Sequence, residues 1–362
     1  MKLFFDARFI RTDYHDSISL YSASLAQAIL THHQNITFLI HDEKQKTFLP
    51  NGAKTIKIHR PEHIKELFSG RILSKYHPDV VWTPLQTLKR HKNYKLILTI
   101  HDLTYFKYNI PPKNHPLPVK IGWKLFHLSP KPQAFLLKKA DAITVPSQNT
   151  KNELAKRMTI NQRKIFVAAP APRSLTKYQK PPKQQASAPK NIVVIGTDQK
   201  WKNLDVIVAG MQFLTGRTLH ILTKMSAESK ARHQKLNKNH IKIVYHGAFD
   251  EKKEAEVLAN NAILVSASLA EGFGMPLAEA MDFSVPIVVS DTPIFHEVAG
   301  EAGTYFDPKS SQSFAKAIKS LDNKKKREEM VKKGLEQVKK FDWNDSAQKI
   351  IKTARTLHEK KV

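Results

Sequence analysis

The chain has no cysteine among its 362 residues. A disulfide framework, a thiol nucleophile and a cysteine-based metal site are therefore excluded. No apolar run reaches the length of a membrane span. The opening residues MKLFFDARFI carry Asp6 and Arg8 inside a short apolar run, a poor signal peptide and a good first strand, so a cytoplasmic location is expected. No G-x-G-x-x-G follows that strand, which argues against a dinucleotide-dependent oxidoreductase. No Asp-x-Asp pair offers a metal site, so neither metal nor cofactor is expected. No basic run is interleaved with stacking aromatics, so nucleic acid is not an expected partner.

Positive charge is plentiful. The formal net charge is +27, and residues 1–175 hold 28 Lys and Arg against 11 Asp and Glu. Such an excess fits an anionic ligand, contact with an anionic membrane, or a lysine-rich solvated surface. Basic clusters such as Lys89-Arg90-His91-Lys92 fit either a solvated loop or a lipid-phosphate contact.

Apolar runs at Lys2–Ile10, Ile36–Ile40, Thr55–Ile58, Val80–Trp82, Lys95–Ile100 and Ile165–Val167 read as strands separated by helical or irregular connections. Ser17 to Leu30 and Asn149 to Arg157 read as helices. Residues 109–134 are proline-rich, with one short amphipathic helix from Leu117 to Leu128 whose apolar and basic residues suit a membrane surface or the closing of a cleft. Lys177 to Lys190, KYQKPPKQQASAPK, is polar, proline-bearing and aperiodic, the composition of a linker. The expected organisation is a first domain at 1–176, a linker at 177–190, a second α/β domain at 191–340 and a terminal helical segment at 341–362. Phe314 to Val338 reads as helical.

The densest chemistry lies between Ser266 and Pro308. The buried-strand run Ala262-Ile263-Leu264-Val265 ends in a loop with Glu271, Gly272, Phe273 and Gly274, and Pro276 then opens a helix to Met281. A glycine-bearing loop before a helix N-terminus favours an anion such as a pyrophosphate. Gly272 and Gly274 let backbone approach a ligand without a Cβ in the way. Carboxylates at Glu271 and Glu279 would be misplaced beside a phosphate unless they face hydrogen-bond donors, and sugar hydroxyls are such donors. A plain buried crossover, with the glycines only making a turn, is the alternative.

The run E-G-F-G-x-P-x-x-E-A-M, at Glu271, Gly272, Phe273, Gly274, Pro276, Glu279, Ala280 and Met281, resembles the signature of the retaining glycosyltransferases of family GT4. The likeness continues at Pro286, Ser290, Glu297, Val298, Gly300, Ala302, Gly303, Asp307 and Pro308. His101-Asp102-Leu103, at the end of an expected strand, resembles that family's H-D-L motif, and Ala140 to Ser147 its A-D-A-I-x-x-x-S. The segment GTDQKWKNL, with Thr197, Lys200 and Lys202, resembles its donor-phosphate segment, Thr197 standing where many relatives carry Arg, as in a mannosyltransferase-like subset. Val244-Tyr245-His246-Gly247 resembles the nucleoside-contacting turn.

The resemblance covers most of the chain. It implies an α/β, GT-B fold: two doubly wound, Rossmann-like domains facing across a cleft. It implies transfer of a hexose, weakly mannose, from a nucleotide-sugar to a glycan or lipid-linked acceptor hydroxyl with retention. Lys202 would hold the diphosphate with the backbone at Gly272, Phe273 and Gly274, flanked by Thr197 and Lys200. Glu279 would bind the ribose, Glu271 the sugar hydroxyls, and His101 the sugar near the reacting carbon. The acceptor-side loop would be Ser17, Ile18 and Ser19. Here serines replace family glycines at Ser17 and Ser19, and again at Ser284, and serine resists positive φ. An inactive scaffold of the same fold, serving as a binding or partner subunit, is the competing reading. Lys202, Glu279 and His101 are all retained, which favours the enzyme.

Overall fold

The computed structural model describes residues 1–13, 16–111 and 117–360. Pro112 and Pro116 of the proline-rich segment lie outside the described residues. The chain forms two compact units, residues 1–170 with 342–362, and residues 171–341.

In the first unit, strands β1 (Leu3–Asp6), β2 (Ile36–Ile40), β3 (Thr55–Lys57), β4 (Val80–Thr83), β5 (Lys95–Thr99), β6 (Ala142–Val145) and β7 (Ile165–Val167) form one sheet among the described residues. Its order is β3-β2-β1-β4-β5-β6-β7, and every pairing is parallel. Parallel strands covered on both faces read as unbroken apolar runs, and β1, β2 and β4 are buried at every position. Phe5 lies opposite Phe38 and Trp82 in register, with its ring 4.4 Å from the indole of Trp82. Each such buried side chain contributes about 1.5–3 kcal/mol. The C-terminal helix Trp343–Glu359 adds Ala347, Ile350, Ile351 and Ala354 to this core, beside Tyr21 and Leu25 of the helix Ser17–His32.

The second unit repeats the winding. Strands β8 (Asn191–Ile195), β9 (Thr218–Leu222), β10 (Ile243–Tyr245), β11 (Ala262–Ser266), β12 (Ile287–Ser290) and β13 (Gly303–Phe306) run in the order β10-β9-β8-β11-β12-β13, all parallel. The chain leaves β8 in one direction through β9 and β10, and returns to its other side at β11. The gap above the carboxyl ends of β8 and β11 is thus a topological switch point, where an open parallel sheet takes its ligands.

Two local readings change, and one strand is new. The segment 177–190 belongs to the second unit, and the division falls after Pro170. The side chains of that unit occupy the segment's backbone carbonyls: Arg327 donates to Gln185 and Ser187, and Asn261 donates to Ala188. Helix Phe314 to Val338 is two helices, Ser311–Ser320 and Lys324–Val338, because Asn323 caps the second by accepting from the Lys326 N–H at 3.0 Å. Finally, Gly303–Phe306 is a strand, too short and too mixed to announce itself by periodicity.

Candidate active site

Strand β8 ends at Gly196-Thr197, and a single 3-10 turn, Lys200–Lys202, carries the chain into the helix Leu204–Met211. Asn203 makes the junction in the left-handed region at φ +54°, a conformation asparagine tolerates better than most residues, and its amide donates to the Pro308 carbonyl. This fixes the turn so that the Lys202 side chain lies back over Gly196. A Cβ on Gly196 would sit in ordinary van der Waals contact with Lys202 Cε at 3.5 Å, which places the lysine stem directly over this backbone. The crevice over β8, β9 and β11 is lined by Gly196, Thr197, Lys202, Thr223, Ala267 and Ser268.

The second wall comes from β11. Its following loop is held by the Leu269 N–H donating to the Trp201 carbonyl and by Ser290 Oγ donating to the Ser268 carbonyl. Gly274 then turns at φ +96° into the helix Met275–Asp282, where a side chain would be strained and would crowd the Phe295 ring at 3.3 Å. Within this frame Lys202 Nζ donates to Glu271 Oε1 at 2.5 Å, with only 21% and 15% of the two side chains exposed. The expected phosphate lysine and the expected sugar carboxylate therefore neutralise one another.

Glu279 is 1% exposed and bound to a partner that its motif does not contain. Arg173 Nε donates to Glu279 Oε1, its Nη1 donates to Glu251 at 3.0 Å, and its Nη2 donates to Glu254 at 3.3 Å. Burial lowers the affinity of Arg173 for its proton, but Glu279, Glu254 and Glu251 outweigh it and hold the guanidinium charged. Phe273 turns its ring edge-on to Phe341 with centroids 4.9 Å apart, and is buried. A ligand meets its backbone rather than its ring. Thr197 is exposed and lines the crevice, whereas Lys200 is exposed and is not among its lining residues. His246, in the expected nucleoside turn after β10, faces His220, ring nitrogens 3.0 Å apart.

In the first unit, His101 follows β5 by two residues and packs edge-on against Tyr21 at 5.1 Å. Its Nε2 is buried with no hydrogen-bond partner among the described residues. Burial pushes its pKa below the ordinary histidine value, opposed by Asp102 and the Pro84 carbonyl, so the ring is neutral at pH 7. Asp102 accepts from the Thr104 N–H at 2.9 Å and thus shapes the loop.

The serine substitutions prove to be of two kinds. Ser17 and Ser19 lie in the first turn of the helix Ser17–His32, outside the positive-φ positions, so the strain expected of them does not arise. Asp16 accepts from the Ser19 N–H, and Ser19 Oγ accepts from the Arg11 N–H. Ile18 is half-buried beside them. Upstream, Gln45 donates to the carbonyls of Ala7, Arg8 and Ile10, and the buried Arg8 is gripped by Asp6 and Glu66. Ser284, by contrast, sits at φ +60° just after the helix Met275–Asp282, where the family's glycine would be at ease.

Both units have counterparts among known proteins. Residues 177–337 match the model of glycosyl transferases group 1, and residues 67–171 match that of Glycosyltransferase Family 4. The O-antigen chain mannosyltransferase RfbU of Salmonella typhimurium is 26% identical over 261 residues, 67% of this chain and 69% of that protein. The chain spans 10–32% of the length of further curated mannosyltransferases that it matches. Among solved structures, sucrose-phosphate synthase of Thermosynechococcus elongatus superposes with a TM-score of 0.72 at 17% identity, covering 98% of both chains. Anabaena HepE in complex with UDP-glucose superposes with a TM-score of 0.71 at 13% identity, covering 98% of this chain and 99% of that one. The last two are likenesses of fold, here the GT-B fold. With the two models matched in order along both units, the chain belongs to the family 4 glycosyltransferases.

Proposed function

We propose that this glycosyltransferase moves a hexose, mannose in the first instance, from a nucleotide-sugar to a hydroxyl of a glycan or lipid-linked acceptor, with retention of configuration. The observation that carries the reading is the Lys202–Glu271 pair at the switch point of the second sheet. An arriving diphosphate takes Lys202 for itself, and the ammonium offsets the charge that builds on the departing nucleotide. Lys200, Thr197 and the N-terminus of the helix Met275–Asp282 support the same phosphates, the last through its dipole and the backbone from Gly272 to Gly274. Glu271, released from Lys202, turns to the sugar hydroxyls, while Glu279 binds the ribose. His101 contacts the sugar through its neutral ring. The leaving phosphate accepts the acceptor's proton, so no separate base is required. Lys202, Lys200 and the helix dipole meet the diphosphate charge, which makes the reaction metal-independent.

Likeness to RfbU supports mannose, and the mixed-sign argument at Glu271 supports a sugar donor of some kind. None of the helices among the described residues is long and apolar enough to cross a membrane. The acceptor is read as lipid-linked, met at the inner face of the cell membrane. Leu117, Ile121 and Leu125 lie exposed along one side of the helix Leu117–Phe126 with Lys120 and Lys124 beside them, an interfacial pattern.

The test is a thermal-shift panel of GDP-mannose, UDP-glucose, UDP-GlcNAc, GDP and UDP on the wild type and on Glu279→Ala. A ligand that binds only the native state raises the midpoint with its affinity. One donor is expected to stabilise the wild type and not the variant. No shift with any nucleotide overturns the reading in favour of a scaffold that has lost transfer.

A further inference from the structure

Arg173, Glu251 and Glu254 lie outside every motif that led to the site, and together they surround Glu279. We propose that Arg173 is a positioning residue for nucleoside binding, which orients Glu279 by holding it in one cluster with Glu251 and Glu254. The proposal rests on the reading of Glu279 as the ribose ligand.

The geometry is specific. Each of the three nitrogens of one guanidinium donates to a different carboxylate. Two of those carboxylates, Glu254 and Glu279, are 1% exposed, and they come from different helices, Glu251–Ala259 and Met275–Asp282. A planar fork can hold three acceptors in fixed directions, whereas a lysine ammonium on a flexible stem cannot. Without Arg173 the two buried groups would face one another with no counter-charge, since the remaining donors, Lys177 Nζ and Tyr178 Oη, both reach only Glu251. Glu279 would then turn away or take up a proton, and either change removes an oriented acceptor for a pair of ribose hydroxyls.

Glu254 is the member that absorbs the imbalance. Its Oε1 is buried with no hydrogen-bond partner among the described residues. Burial pushes its pKa up, Glu279 and Glu251 push it further against the pull of Arg173, and it lies at about 8. Glu251 goes the other way: burial raises it, but Tyr178, Lys177 and Arg173 bring it down to about 2. Asp282, on the Glu279 helix, is raised by burial and by Glu279. At neutral pH Glu254 thus carries a proton, while Glu251 stays charged between Arg173 and Lys177. Above pH 8 the bare Glu254 competes with Glu279 for the guanidinium, and nucleoside binding weakens.

The experiment compares GDP, UDP and inorganic pyrophosphate by titration calorimetry on wild type, Arg173→Met, Arg173→Lys, Glu254→Gln and Glu279→Ala. Arg173→Met is expected to weaken the preferred nucleoside diphosphate tenfold or more and to leave pyrophosphate unchanged, with Arg173→Lys recovering only part of the loss. The wild type is expected to lose nucleotide affinity between pH 7 and 9, and Glu254→Gln to abolish that fall. Unchanged nucleotide affinity in Arg173→Met, with Glu279→Ala impaired, overturns the proposal. Unchanged affinity in Glu279→Ala as well would instead overturn the ribose reading beneath it. Should Arg173→Met fail to fold by circular dichroism, the pH series on Glu254→Gln decides, and persistence of the fall overturns the proposal.

Discussion

Replacing Lys202 by Met separates the two jobs that its position implies. The ammonium answers Glu271 across 2.5 Å, at 21% and 15% side-chain exposure. A pair that still touches water contributes about 1 kcal/mol at most. Its loss should therefore lower the midpoint of a unit of this size by only about 2–4 °C. On the proposed reading, the same ammonium faces the charge developing on the leaving diphosphate in the transition state. Removing one preorganised donor from such a site costs ~2.7–4 kcal/mol, or roughly 100- to 1000-fold in kcat. Methionine keeps most of the stem that lies over Gly196, so packing changes little. The assay is steady-state release of nucleoside diphosphate with the donor that the thermal panel selects, alongside a thermal melt. The expected result is a kcat lower by two to three orders of magnitude in a protein that melts within a few degrees of the wild type. A loss below tenfold in a well-folded variant would refute the argument, leaving Lys202 as no more than the counter-ion of Glu271.

Glu254 binds a proton in the folded chain up to about pH 8, against an ordinary value of 4.5, so its stabilising contribution is whole below pH 4.5 and is lost as pH rises to about 8. Glu254→Gln should raise the melting midpoint at pH 8 and flatten the wild-type decline between pH 4.5 and 8; an unchanged slope counts against a proton at this site. Ser284 holds a left-handed φ of +60°, which costs an L-residue roughly 1–2 kcal/mol, while a glycine returns about 0.4–1 kcal/mol of unfolded-chain entropy. Ser284→Gly is thus expected to stabilise by about 0.5–1 kcal/mol in urea denaturation, and a lower midpoint would contradict the strain. Vesicles rich in phosphatidylglycerol should sediment the wild type and release the Ile121→Asp, Leu125→Asp double variant, with pure phosphatidylcholine binding neither. Equal sedimentation of both proteins would take the helix Leu117–Phe126 out of the membrane reading.

Much of the fold was legible because parallel strands buried on both faces leave continuous apolar runs, as at Ile36–Ile40 and Ala262–Ser266. What failed to show depended on side chains from far along the chain. The segment 177–190 has linker composition, yet Arg327, more than 130 residues away, occupies its carbonyls. Composition reports solvation preferences of a segment and is silent about a distant donor. Similarly, the strain expected at Ser17 and Ser19 came from a family pattern of glycines. An aspartate cap and a helical first turn make that pattern unnecessary here, whereas at Ser284 the backbone keeps the glycine conformation and bears the serine.

The site residues divide along the same line. Glu271 and Glu279 stand out in the sequence because their spacing is local, seven residues setting them on the two sides of one loop and helix, while Lys202 stands out only through its own short segment after β8. Arg173 does not, since a lone arginine after a short strand has no periodic or motif signal, and its meaning arises only from three glutamates brought to it by two helices. Yet the two carboxylates of the motif follow a common physical rule. Each is largely or wholly removed from water, and each is matched by its own cation, Lys202 for Glu271 and Arg173 for Glu279. The pairings differ in what a donor can do to them. Lys202 is a single point charge at a crevice wall, able to leave Glu271 for a phosphate, whereas Arg173 is half-buried and tied three ways, unable to leave without exposing two buried carboxylates to each other. One pair is therefore suited to exchange during the reaction and the other to stay fixed, which is the division of labour expected between a group that meets the reacting phosphate and one that fixes where the nucleoside sits.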